Sequence, residues 1–508
     1  MSGPDYLVIV AYLSTLAGVG VYFSRRQTNL ANFLVAGHRM SWLPVGMSLM
    51  AALNSGIDYL TQPSATIRYG FVLVVGTLSW LVLYPWMSRV VFPFYHRLKF
   101  YSVYEYLEAR FDVRVRMLAV GIFIIWRLGW MATALYVPCL AISATLAPGF
   151  DLRTIIIVLG ALVTLYTLLG GIQAVIWNDV LQFCVMFGGL AATVVITASS
   201  VSGGLGAIWA AASANGKISL WVPFQGVDSL LFEPITVPAL LAALVVGRMA
   251  QYTSDQVMVQ RLQTTRTVRD ARQAFIVNAA GDALWMIGLS FVGLALFAYF
   301  QSRPAPPDLE ADRLLPYFML TAFPAGAVGL VVAAILAASL SSIDSAIHSC
   351  SSVIVVDVYN RGICGVDVQG RKLTPEEERQ QVRVSRMATL AVGIAGTTLA
   401  CNVSGIGNLL EIVNKLINSF TGPLFGIFVL AMFSASCRSV AALIGGAAGA
   451  VVSYLVAYHS TFSFLWPSTF GFVATIVVAF AVMLVIRRDP LQEQTALTWR
   501  RVMAKPSG

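Results

Sequence analysis

Apolar residues along this chain are grouped into long continuous runs, which short polar stretches separate. A run of about 20 apolar residues is long enough to cross the hydrocarbon core of a bilayer as a helix. The runs define thirteen predicted spans, numbered in chain order, at about 6–24, 42–67, 71–95, 117–147, 153–170, 174–199, 235–260, 274–300, 324–356, 384–401, 406–433, 438–458 and 465–486. The pattern therefore predicts an all-α polytopic membrane protein with about thirteen transmembrane helices in a lipid bilayer.

The composition narrows the class further. Of the 508 residues, 58% are hydrophobic and 11% are charged, whereas about 25% of the residues of a soluble domain are charged. This shortage of charge excludes a soluble multidomain enzyme and a disordered chain. The six cysteines form no CxxC pair and fall mostly within apolar runs, which indicates buried small side chains rather than a zinc or disulfide framework.

Lysine and arginine are concentrated in alternate loops, and the net charge of the chain is +9. Loops rich in these residues remain on the cytoplasmic side of a membrane. We therefore expect the amino terminus outside the cell and the carboxyl terminus in the cytoplasm. The expected membrane is a plasma membrane, namely the inner membrane of a bacterium. Topology accounts for the positive charge, so no nucleic acid is expected as a partner.

Span 2 contains an unusual density of polar and helix-breaking residues. Asn54, Ser55, Gly56, Asp58 and the segment 61–63 (Thr, Gln, Pro) all fall within ten positions. A proline and a glycine among polar side chains favour a broken helix, whose free carbonyl groups need ions, water or neighbours as partners. Broken helices at the bilayer midplane are typical of transporter sites, although a simple proline kink in a packing helix is the alternative.

Several ionisable side chains lie inside the spans, where facing lipid would cost at least about 2.5–3.5 kcal/mol each. Their polar neighbours favour a functional interpretation for Asp58, Asp179 and Asp344. A structural ion pair, or a residue at a helix end, is the preferred interpretation for Asp282, Glu411 and Lys415. The other intramembrane charges are Arg127, Arg248 and Asp255.

Span 9 contains a stripe of small and hydroxyl side chains. Its members recur at helical spacing and share one face; they are Ala338, Ser341, Ser342, Ser345, Ser349 and Ser352. Such a stripe can be packing between helices, or it can supply the oxygen ligands of a small cation, and the spacing favours neither. Asp179 in span 6 is expected at the depth of Ser345, which would place a negative charge beside these hydroxyl groups.

Four segments resemble the sodium/solute symporter family. They are Tyr166–Ala174 around a double glycine, Trp177–Gln182, Asp255–Arg261 and Thr421–Phe428. Together with span 2 and the segment SVYEYLEARF, they look closest to the branch that holds the iodide, monocarboxylate and multivitamin symporters, as a bacterial-type member. The chain departs from the family pattern at Asn178, where threonine is usual, and at Asp255, where asparagine is usual.

The resemblance implies a single transporter domain over residues 1–508. Its ten-helix core would consist of two inverted five-helix repeats, 42–199 and 235–433, each with a broken first helix. Span 1 (6–24) would be an extra amino-terminal helix, 438–486 would hold two carboxyl-terminal spans, and 487–508 would be a cytoplasmic tail.

The resemblance also implies a sodium site between spans 2 and 9. Its ligands would be the carbonyl oxygens of Ala51, Asn54 and Ala338 and the hydroxyl groups of Ser341 and Ser342. A possible second sodium site maps to Asp179, Ser341 and Ser345, with Asp344 in place of a hydroxyl side chain. Asp344 could strengthen that site, bind a proton or pair with an arginine.

A substrate pocket is implied near the midplane, and its candidate residues are Asp58, Thr61, Gln62, Trp80, Arg127, Tyr252, Asp255 and Ser419. Asp58 stands where relatives commonly carry a neutral residue. Two acids in the pocket argue against a bare anion such as iodide unless Arg127 or Arg248 neutralises them. A zwitterion, a polyol or sugar, or an amine would use these acids directly.

The predicted function is therefore sodium-coupled symport of a small polar organic solute by alternating access, without enzymatic chemistry. Sodium is expected as the coupling ion, with no other cofactor, and a monomer is sufficient for the mechanism. One alternative is a proton-coupled symporter of the same fold, in which Asp58, Asp255 and Asp344 carry protons. Another is a sodium-binding channel or sensor without coupled transport.

Overall fold

A computed structural model describes residues 1–24, 30–98, 100–143, 149, 151–304, 306, 309, 311–366, 374–403, 420–486 and 495–504. The predicted all-helical class is confirmed. The helices on spans 1 to 6 are Gly3–Ser24, the pair Trp42–Leu53 and Gly56–Tyr69, Phe71–Leu98, Val113–Ala141 and Leu152–Ser200. Those on spans 7 to 13 are the pair Val237–Ser254 and Gln256–Gln263, then Val268–Ser302, Ala327–Ile363, Pro375–Ala400, Thr421–Phe433, Ser439–His459 and Pro467–Val485.

The number of membrane crossings stays a prediction. Within the described ranges, eight helices are long and apolar enough to cross a membrane, or nine when Gly226–Phe232 and Val237–Ser254, bent by 49°, count as one span. Spans 5 and 6 share the 49-residue helix Leu152–Ser200, which is interrupted at Gly171 (φ 58°, ψ −169°). This conformation needs glycine, as the double glycine between these spans predicted. Span 11 is described only from Thr421.

Short helices connect the spans. Gly204–Ala214 and Gly226–Phe232 lie between spans 6 and 7, and Ala311–Ala322 precedes span 9. Leu30–Val35 precedes span 2, Glu105–Arg110 precedes span 4, and Trp499–Ala504 lies near the carboxyl end. This last helix docks on span 3, where Arg97 Nη1 donates to the carbonyl groups of Val502 and Met503 at 2.8 and 2.9 Å.

Span 9 forms the centre of the molecule. Every residue from Val331 to Val353 is buried, and the spans that pack around this helix include spans 1, 2, 4, 6 and 10. A helix that is buried on all faces can carry polar side chains inside the membrane without exposing them to lipid. The serine stripe is therefore held within the protein.

Spans 2 and 7, the first helices of the two predicted repeats, are both interrupted. Span 2 ends one helix at Leu53 and begins the next at Gly56, and span 7 is broken at Asp255 (φ −95°, ψ 121°). The predicted broken helices are confirmed. At each break, an acidic side chain accepts a backbone N–H group, so the second helix starts with a capped end.

A cluster of charged side chains joins the start of span 4 to the end of span 9. Arg116 Nη1 lies 2.8 Å from Glu108 Oε2, its Nε lies 2.6 Å from Asp357 Oδ1, and Arg361 Nε donates to Glu108 Oε1 at 2.7 Å. Burial raises the pKa of Glu108, but the hydrogen bonds from Arg361 and Arg116 outweigh it and hold this pKa below its ordinary value. Glu108 therefore remains charged at neutral pH.

Span 1 is fastened to span 9 by the side chain of Asp5 and by a close backbone approach. Asp5 Oδ1 accepts hydrogen bonds from the N–H groups of Gly326 and Gly329 at 2.8 and 2.9 Å. A Cβ atom on Gly329 would lie 2.5 Å from the Cα atom and from the carbonyl oxygen of Asp5. Because both atoms belong to the backbone, neither can turn away, and only glycine allows this approach.

We expect Gly329→Ala to lower the free energy of unfolding by about 1–3 kcal/mol, because the added methyl group must push span 1 away from span 9. Gly188→Ala is the matched control, since nothing lies within 4 Å of the position that its methyl group would take and alanine is the better helix former by about 0.5–1 kcal/mol. Thermal unfolding of the purified protein in detergent measures both. Equal stability of the two variants would show that span 1 is not closely packed on span 9.

Candidate functional site

The break in span 2 leaves carbonyl groups without their usual helical partners. Asn54 and Ser55 are extended (φ −98°, ψ 141° and φ −122°, ψ 167°). In a continuous helix, the Ser55 N–H group would bond to the Ala51 carbonyl, but here it donates to Asp58 Oδ2 at 2.7 Å. The Asp58 N–H group bonds to the Ser55 carbonyl at 3.1 Å instead of that of Asn54. Both freed oxygens are therefore available to another partner.

Span 9 brings its hydroxyl groups to these freed oxygens. Ser341 Oγ lies 2.8 Å from the Ala51 carbonyl oxygen and 2.9 Å from that of Ala338. Ser342 Oγ lies 3.0 Å from the Asn54 carbonyl oxygen and 3.3 Å from that of Ala338. The five atoms predicted as sodium ligands thus form one connected cluster of neutral oxygens, in residues that are at most 1% exposed. Such hard oxygen donors suit a small cation.

A glycine makes this approach of the two helices possible. A Cβ atom on Gly56 would lie 2.6 Å from the Ile335 carbonyl oxygen and 2.3 Å from Ser339 Oγ. Any side chain at position 56 would therefore separate span 2 from span 9. The glycine that the sequence marks as a helix breaker also sets the distance between the two halves of the cluster.

Asp179 and Ser345 meet at one arginine. Arg261 Nη2 lies 3.0 Å from Asp179 Oδ2 and also donates to Ser345 Oγ, and Arg261 Nε donates to Ser48 Oγ at 2.8 Å. Ser48 Oγ in turn donates to Asp179 Oδ2 at 2.5 Å. Each of these residues is fully buried. The structure thus brings Asp179 and Ser345 to one depth, and it supplies the guanidinium group of Arg261 as their cationic partner.

Asp344 lies beside this arginine network. Its Oδ2 accepts a hydrogen bond from the Tyr166 hydroxyl group at 3.0 Å, and Ser345 Oγ lies 3.3 Å from its Oδ1. Among the residues that the structure describes, no basic side chain comes within ion-pair distance of Asp344. Two neighbouring carboxyl groups, those of Asp179 and Asp344, therefore share the charge of a single guanidinium group.

Two of the substrate-pocket candidates, Trp80 and Tyr252, lie together beside a buried ion pair. Their rings are 5.8 Å apart. Asp282 Oδ2 accepts from Trp80 Nε1 at 2.8 Å and from Arg248 Nη2 at 2.7 Å, and the guanidinium group of Arg248 lies 4.3 Å from the Trp80 ring centroid. The preferred interpretation of Asp282 as a member of a structural ion pair is confirmed, and this pair forms one wall of the aromatic cluster.

Arg127 and Asp255, two further candidates, form a second buried ion pair. Arg127 Nε lies 3.3 Å from Asp255 Oδ1, and Nη2 contacts Oδ2 more closely. Asp255 Oδ1 also accepts the Val257 N–H group at 3.0 Å, which caps the second helix of span 7. Asp255 therefore holds the arginine of span 4 and the break of span 7 at the same point.

The remaining candidates lie on one face of the second helix of span 2. Asp58, Thr61 and Gln62 are partly exposed, unlike most of their neighbours. Thr61 Oγ1 donates to the Ile57 carbonyl at 3.0 Å, and Gln62 Nε2 donates to Ser290 Oγ of span 8 at 2.9 Å. Ser419, like Glu411 and Lys415, lies outside the described residues.

Among the described residues of the spans, two of five acids have no basic partner. Three acids are paired, Asp179 with Arg261, Asp255 with Arg127 and Asp282 with Arg248. For the other two, Asp58 and Asp344, the described part of the chain offers no ion-pair partner. The two unpaired acids are thus the places where a positive charge from outside the protein gains most.

Sequence reasoning assigned no role to some residues that shape these clusters. Arg261 ends one of the four segments that resemble the family. The hydropathy pattern nevertheless ended span 7 at about residue 260, so Arg261 was not counted among the charges inside the membrane. Ser48 and Asn278 were also missed, and Asn278 Nδ2 donates to the Tyr252 hydroxyl group at 2.6 Å. Asn278 lies one helical turn before Asp282 in span 8, and this spacing could have revealed Asn278.

The chain is similar in sequence and structure to sodium-coupled transporters. The model of the sodium:solute symporter family matches residues 33–449. The sodium/sialic acid symporter SiaT of Proteus mirabilis is 29% identical over 480 residues, which is 93% of each chain. A sodium-dependent multivitamin transporter of Oryctolagus cuniculus is 32% identical and covers 90% of this chain and 70% of its own.

A solved structure of a Na⁺-coupled sialic acid symporter, in a substrate-bound outward-open state, superposes with a TM-score of 0.85. It is 27% identical to this chain, and the match covers 96% of this chain and 99% of that one. Agreement over nearly the full length of both chains shows a common fold.

The pairing of Asp179 with Arg261 leads to a stability prediction. We expect Arg261→Met to lower the free energy of unfolding by about 3–5 kcal/mol, because it leaves Asp179 charged and buried. The double variant Arg261→Met, Asp179→Asn should recover much of this loss. Arg68→Met is the control, since its pair with Asp312 is partly exposed and an exposed pair is worth at most about 1 kcal/mol. Thermal unfolding checks all three, and a double variant no better than the single one would contradict the pairing.

Proposed function

Because the chain belongs to the sodium:solute symporter family, a family of transporters and not of enzymes, we propose that it is a sodium-coupled symporter of a small polar organic solute. The observation that carries this proposal is the cluster of five neutral oxygens between the break of span 2 and span 9. Sodium-coupled transport needs a cation site that joins two separately moving elements, and these oxygens come from two different helices.

The proposed sodium ligands are the carbonyl oxygens of Ala51, Asn54 and Ala338 and the hydroxyl oxygens of Ser341 and Ser342. In the absence of an ion, the hydroxyl groups donate to the carbonyl oxygens, which links span 2 to span 9 weakly. A bound sodium ion would draw all five oxygens inward and join the helices more strongly. Sodium binding from outside thereby favours the state that is ready for solute, and sodium release inside opens the site.

A second sodium ion is proposed near Asp179, Ser345 and Asp344. Arg261 already neutralises Asp179, so the charge available to the ion is that of Asp344. Each positive charge that crosses a potential of about 100 mV supplies about 2.3 kcal/mol. Whether one ion or two cross in each cycle therefore changes the attainable accumulation of solute considerably.

The proposed solute site is built from Asp58, Thr61, Gln62, Trp80 and Tyr252, with the Arg127–Asp255 pair and Ser419 as further candidates. The relatives are named for sialic acid, vitamins and monocarboxylates. Here both pocket arginines already have acidic partners, while Asp58 is partly exposed and has no basic partner among the described residues. These features favour a solute that donates hydrogen bonds or carries an amino group to Asp58.

The protein is proposed to lie in a plasma membrane, namely a bacterial inner membrane. Its amino terminus would be outside and its carboxyl terminus in the cytoplasm. The basic loops support this orientation. The proposed organisation is two inverted repeats, 42–199 and 235–433, and the breaks in spans 2 and 7 support it. All proposed ligands lie in one chain, so a monomer suffices, and no partner besides lipid, sodium and solute is invoked.

Proton coupling is the second candidate, and the unpaired acids Asp58 and Asp344 favour it. A carboxyl group inside a membrane span without a cationic partner is neutralised most simply by a proton. The two candidates differ in the ion that drives uptake. Transport in choline medium that follows a pH gradient would identify the proton as the coupling ion.

We expect Ser342→Ala to reduce sodium-dependent uptake at least about tenfold, because it removes one of five ligands and a charge-assisted contact of this kind is worth about 1.5–3 kcal/mol. Proteoliposomes with an inward sodium gradient, or with choline in its place, measure the uptake of labelled sialic acid, lactate, glucose and putrescine. Ser351→Ala is the matched control, since Ser351 is equally buried in span 9 but donates only to its own helix at His348.

The sodium dependence can be tested without knowing the solute. Sodium chloride should raise the unfolding temperature of the parent chain and of Ser351→Ala relative to choline chloride, because a ligand that binds only the folded state stabilises it. The same shift should be clearly smaller in Ser342→Ala. An equal shift in both variants would contradict the proposed ligand set, and uptake that ignores sodium in the parent chain would contradict the coupling.

A further inference from the structure

The break of span 7 frees two carbonyl groups, as the break of span 2 does. In a continuous helix, the Val257 N–H group would bond to the Thr253 carbonyl, but here it donates to Asp255 Oδ1 at 3.0 Å. The Met258 N–H group would likewise bond to the Ser254 carbonyl, but here it donates to the Asp255 carbonyl at 3.2 Å. Thr253 and Ser254 are at most 1% exposed, so their carbonyl oxygens need partners from elsewhere in the protein.

Two tyrosine hydroxyl groups supply these partners. Tyr95 Oη donates to the Thr253 carbonyl at 2.5 Å, and Tyr104 Oη donates to the Ser254 carbonyl at 3.1 Å. Tyr95 lies in span 3, and Tyr104 lies in the segment 102–111 (SVYEYLEARF) before span 4. Both tyrosines are buried, at 4% and 0% exposed. Each freed oxygen of span 7 is thus bonded by a phenol group from a different part of the chain.

The segment that carries Tyr104 is itself bonded to the residue after the break. Gln256 Oε1 accepts the Val103 N–H group at 2.9 Å, and Gln256 Nε2 donates to the Tyr101 carbonyl at 2.8 Å. Tyr104 therefore bonds to the residue before the break, and the residue after the break bonds back to the neighbours of Tyr104. This contact joins two segments that resemble the family, 102–111 and 255–261.

Aromatic packing fixes the direction of the Tyr104 hydroxyl group. The Tyr104 ring centroid lies 5.5 Å from that of Phe123 in span 4 and 6.1 Å from that of Phe428 in span 11. Trp86 of span 3 adds a further bond to the break, from its Nε1 to Thr253 Oγ1 at 3.1 Å. Because protein interiors are closely packed, a ring held between two others cannot turn away without moving its neighbours.

The two broken spans therefore differ in the partners of their freed carbonyls. At span 2, the partners are the short side chains of Ser341 and Ser342, whose oxygens are also proposed sodium ligands. At span 7, the partners are rigid phenol groups, and the guanidinium group of Arg127 lies beside Asp255. A cation at this second break would meet the positive charge of Arg127 and be repelled. The geometry of the break in span 7 thus depends on protein groups alone.

We propose that Tyr95 and Tyr104 are positioning residues that hold the break of span 7, and with it Tyr252 and Asp255, in one geometry whether or not sodium is bound. Tyr252 comes directly before the two freed carbonyls and Asp255 directly after them, so a shift of the break displaces both side chains. The assignment of these side chains to a solute rests on the proposed function. Span 2 then responds to sodium, while span 7 presents a preformed wall to the solute.

Hydrogen exchange, measured by mass spectrometry on the full chain in phosphatidylcholine nanodiscs, tests this proposal without a solute. Tyr104→Phe should raise the exchange rates of the amide groups at 257–259 about two- to tenfold, because it removes one hydrogen bond that closes the break. The rise should be equal in sodium chloride and in choline chloride. In the parent chain, exchange at 257–259 should be the same in both salts.

Tyr106→Phe is the matched control. Tyr106 is fully buried two positions further along, and its hydroxyl group donates to the Leu497 carbonyl at 3.2 Å, away from the break. This variant removes a bond of the same kind but should leave exchange at 257–259 unchanged. Tyr95→Phe tests the Thr253 carbonyl in the same way, so the test does not depend on the folding of one variant.

Three exchange results would overturn the proposal. One is unchanged exchange at 257–259 in both Tyr95→Phe and Tyr104→Phe. Another is an equal rise in Tyr104→Phe and Tyr106→Phe, which would show a general loss of stability. The third is slower exchange at 257–259 when sodium replaces choline in the parent chain, because the break would then depend on the ion.

The sodium and solute responses separate a positioning role from a structural one. Sodium chloride should raise the unfolding temperature of Tyr104→Phe as much as that of the parent chain, since the span 2 cluster is intact. For the probe that the parent chain accumulates, among labelled sialic acid, lactate, glucose and putrescine, the half-saturating concentration should rise about two- to tenfold at a nearly unchanged maximal rate. A lower maximal rate with an unchanged half-saturating concentration would contradict the proposal.

This inference and the proposed function fail on different measurements. A parent chain whose unfolding temperature and uptake ignore sodium would overturn sodium coupling, while faster exchange at 257–259 in Tyr104→Phe would still support the hold on the break. Conversely, sodium-driven uptake with unchanged exchange in both tyrosine variants would keep the symporter and overturn the role of Tyr95 and Tyr104.

Discussion

The contact between the broken span 2 and the buried span 9 is the interaction on which the rest of this structure depends. Inside a membrane, a helix can be interrupted only where other groups satisfy the freed carbonyls. Ser341 and Ser342 do so, and Gly56 lets the helices approach closely enough. A helix that supplies such partners must itself be shielded from lipid, which explains why other spans surround span 9 and why so many of its polar side chains are tolerated.

A second constraint is the distribution of charge. Three buried arginines are each held by one acid, and removing one member of such a pair would leave a buried charge that is expensive to keep. These pairs fix the relative positions of spans 4, 6, 7 and 8. Among the described acids of the spans, Asp58 and Asp344 have no ion-pair partner; one lies beside the solute candidates and the other beside the arginine network.

The sequence alone predicted the helical class, the break in span 2, the turn at Gly171 and the meeting of Asp179 with Ser345, because each depends on local chemistry or on depth in the membrane. It could not predict which arginine meets which acid. Arg127 and Asp255 are far apart in the chain, and their pairing depends on how spans 4 and 7 are rotated about their axes. Hydropathy constrains that rotation weakly, since polar side chains face the interior from several directions. For the same reason, the sequence placed Arg261 in a family motif but did not identify Asp179 as its partner.

Asp255 would give the proposed solute site a property that follows from its attachment to the chain. Here Asp255 acts as a tethered competitor, a carboxylate whose effective concentration at Arg127 is at least in the millimolar range. A carboxylate solute must displace it and also uncap the second helix of span 7. At the proposed solute site, this attachment would bias the chain against simple acids, and Asp255→Asn should widen the range of solutes that compete for binding.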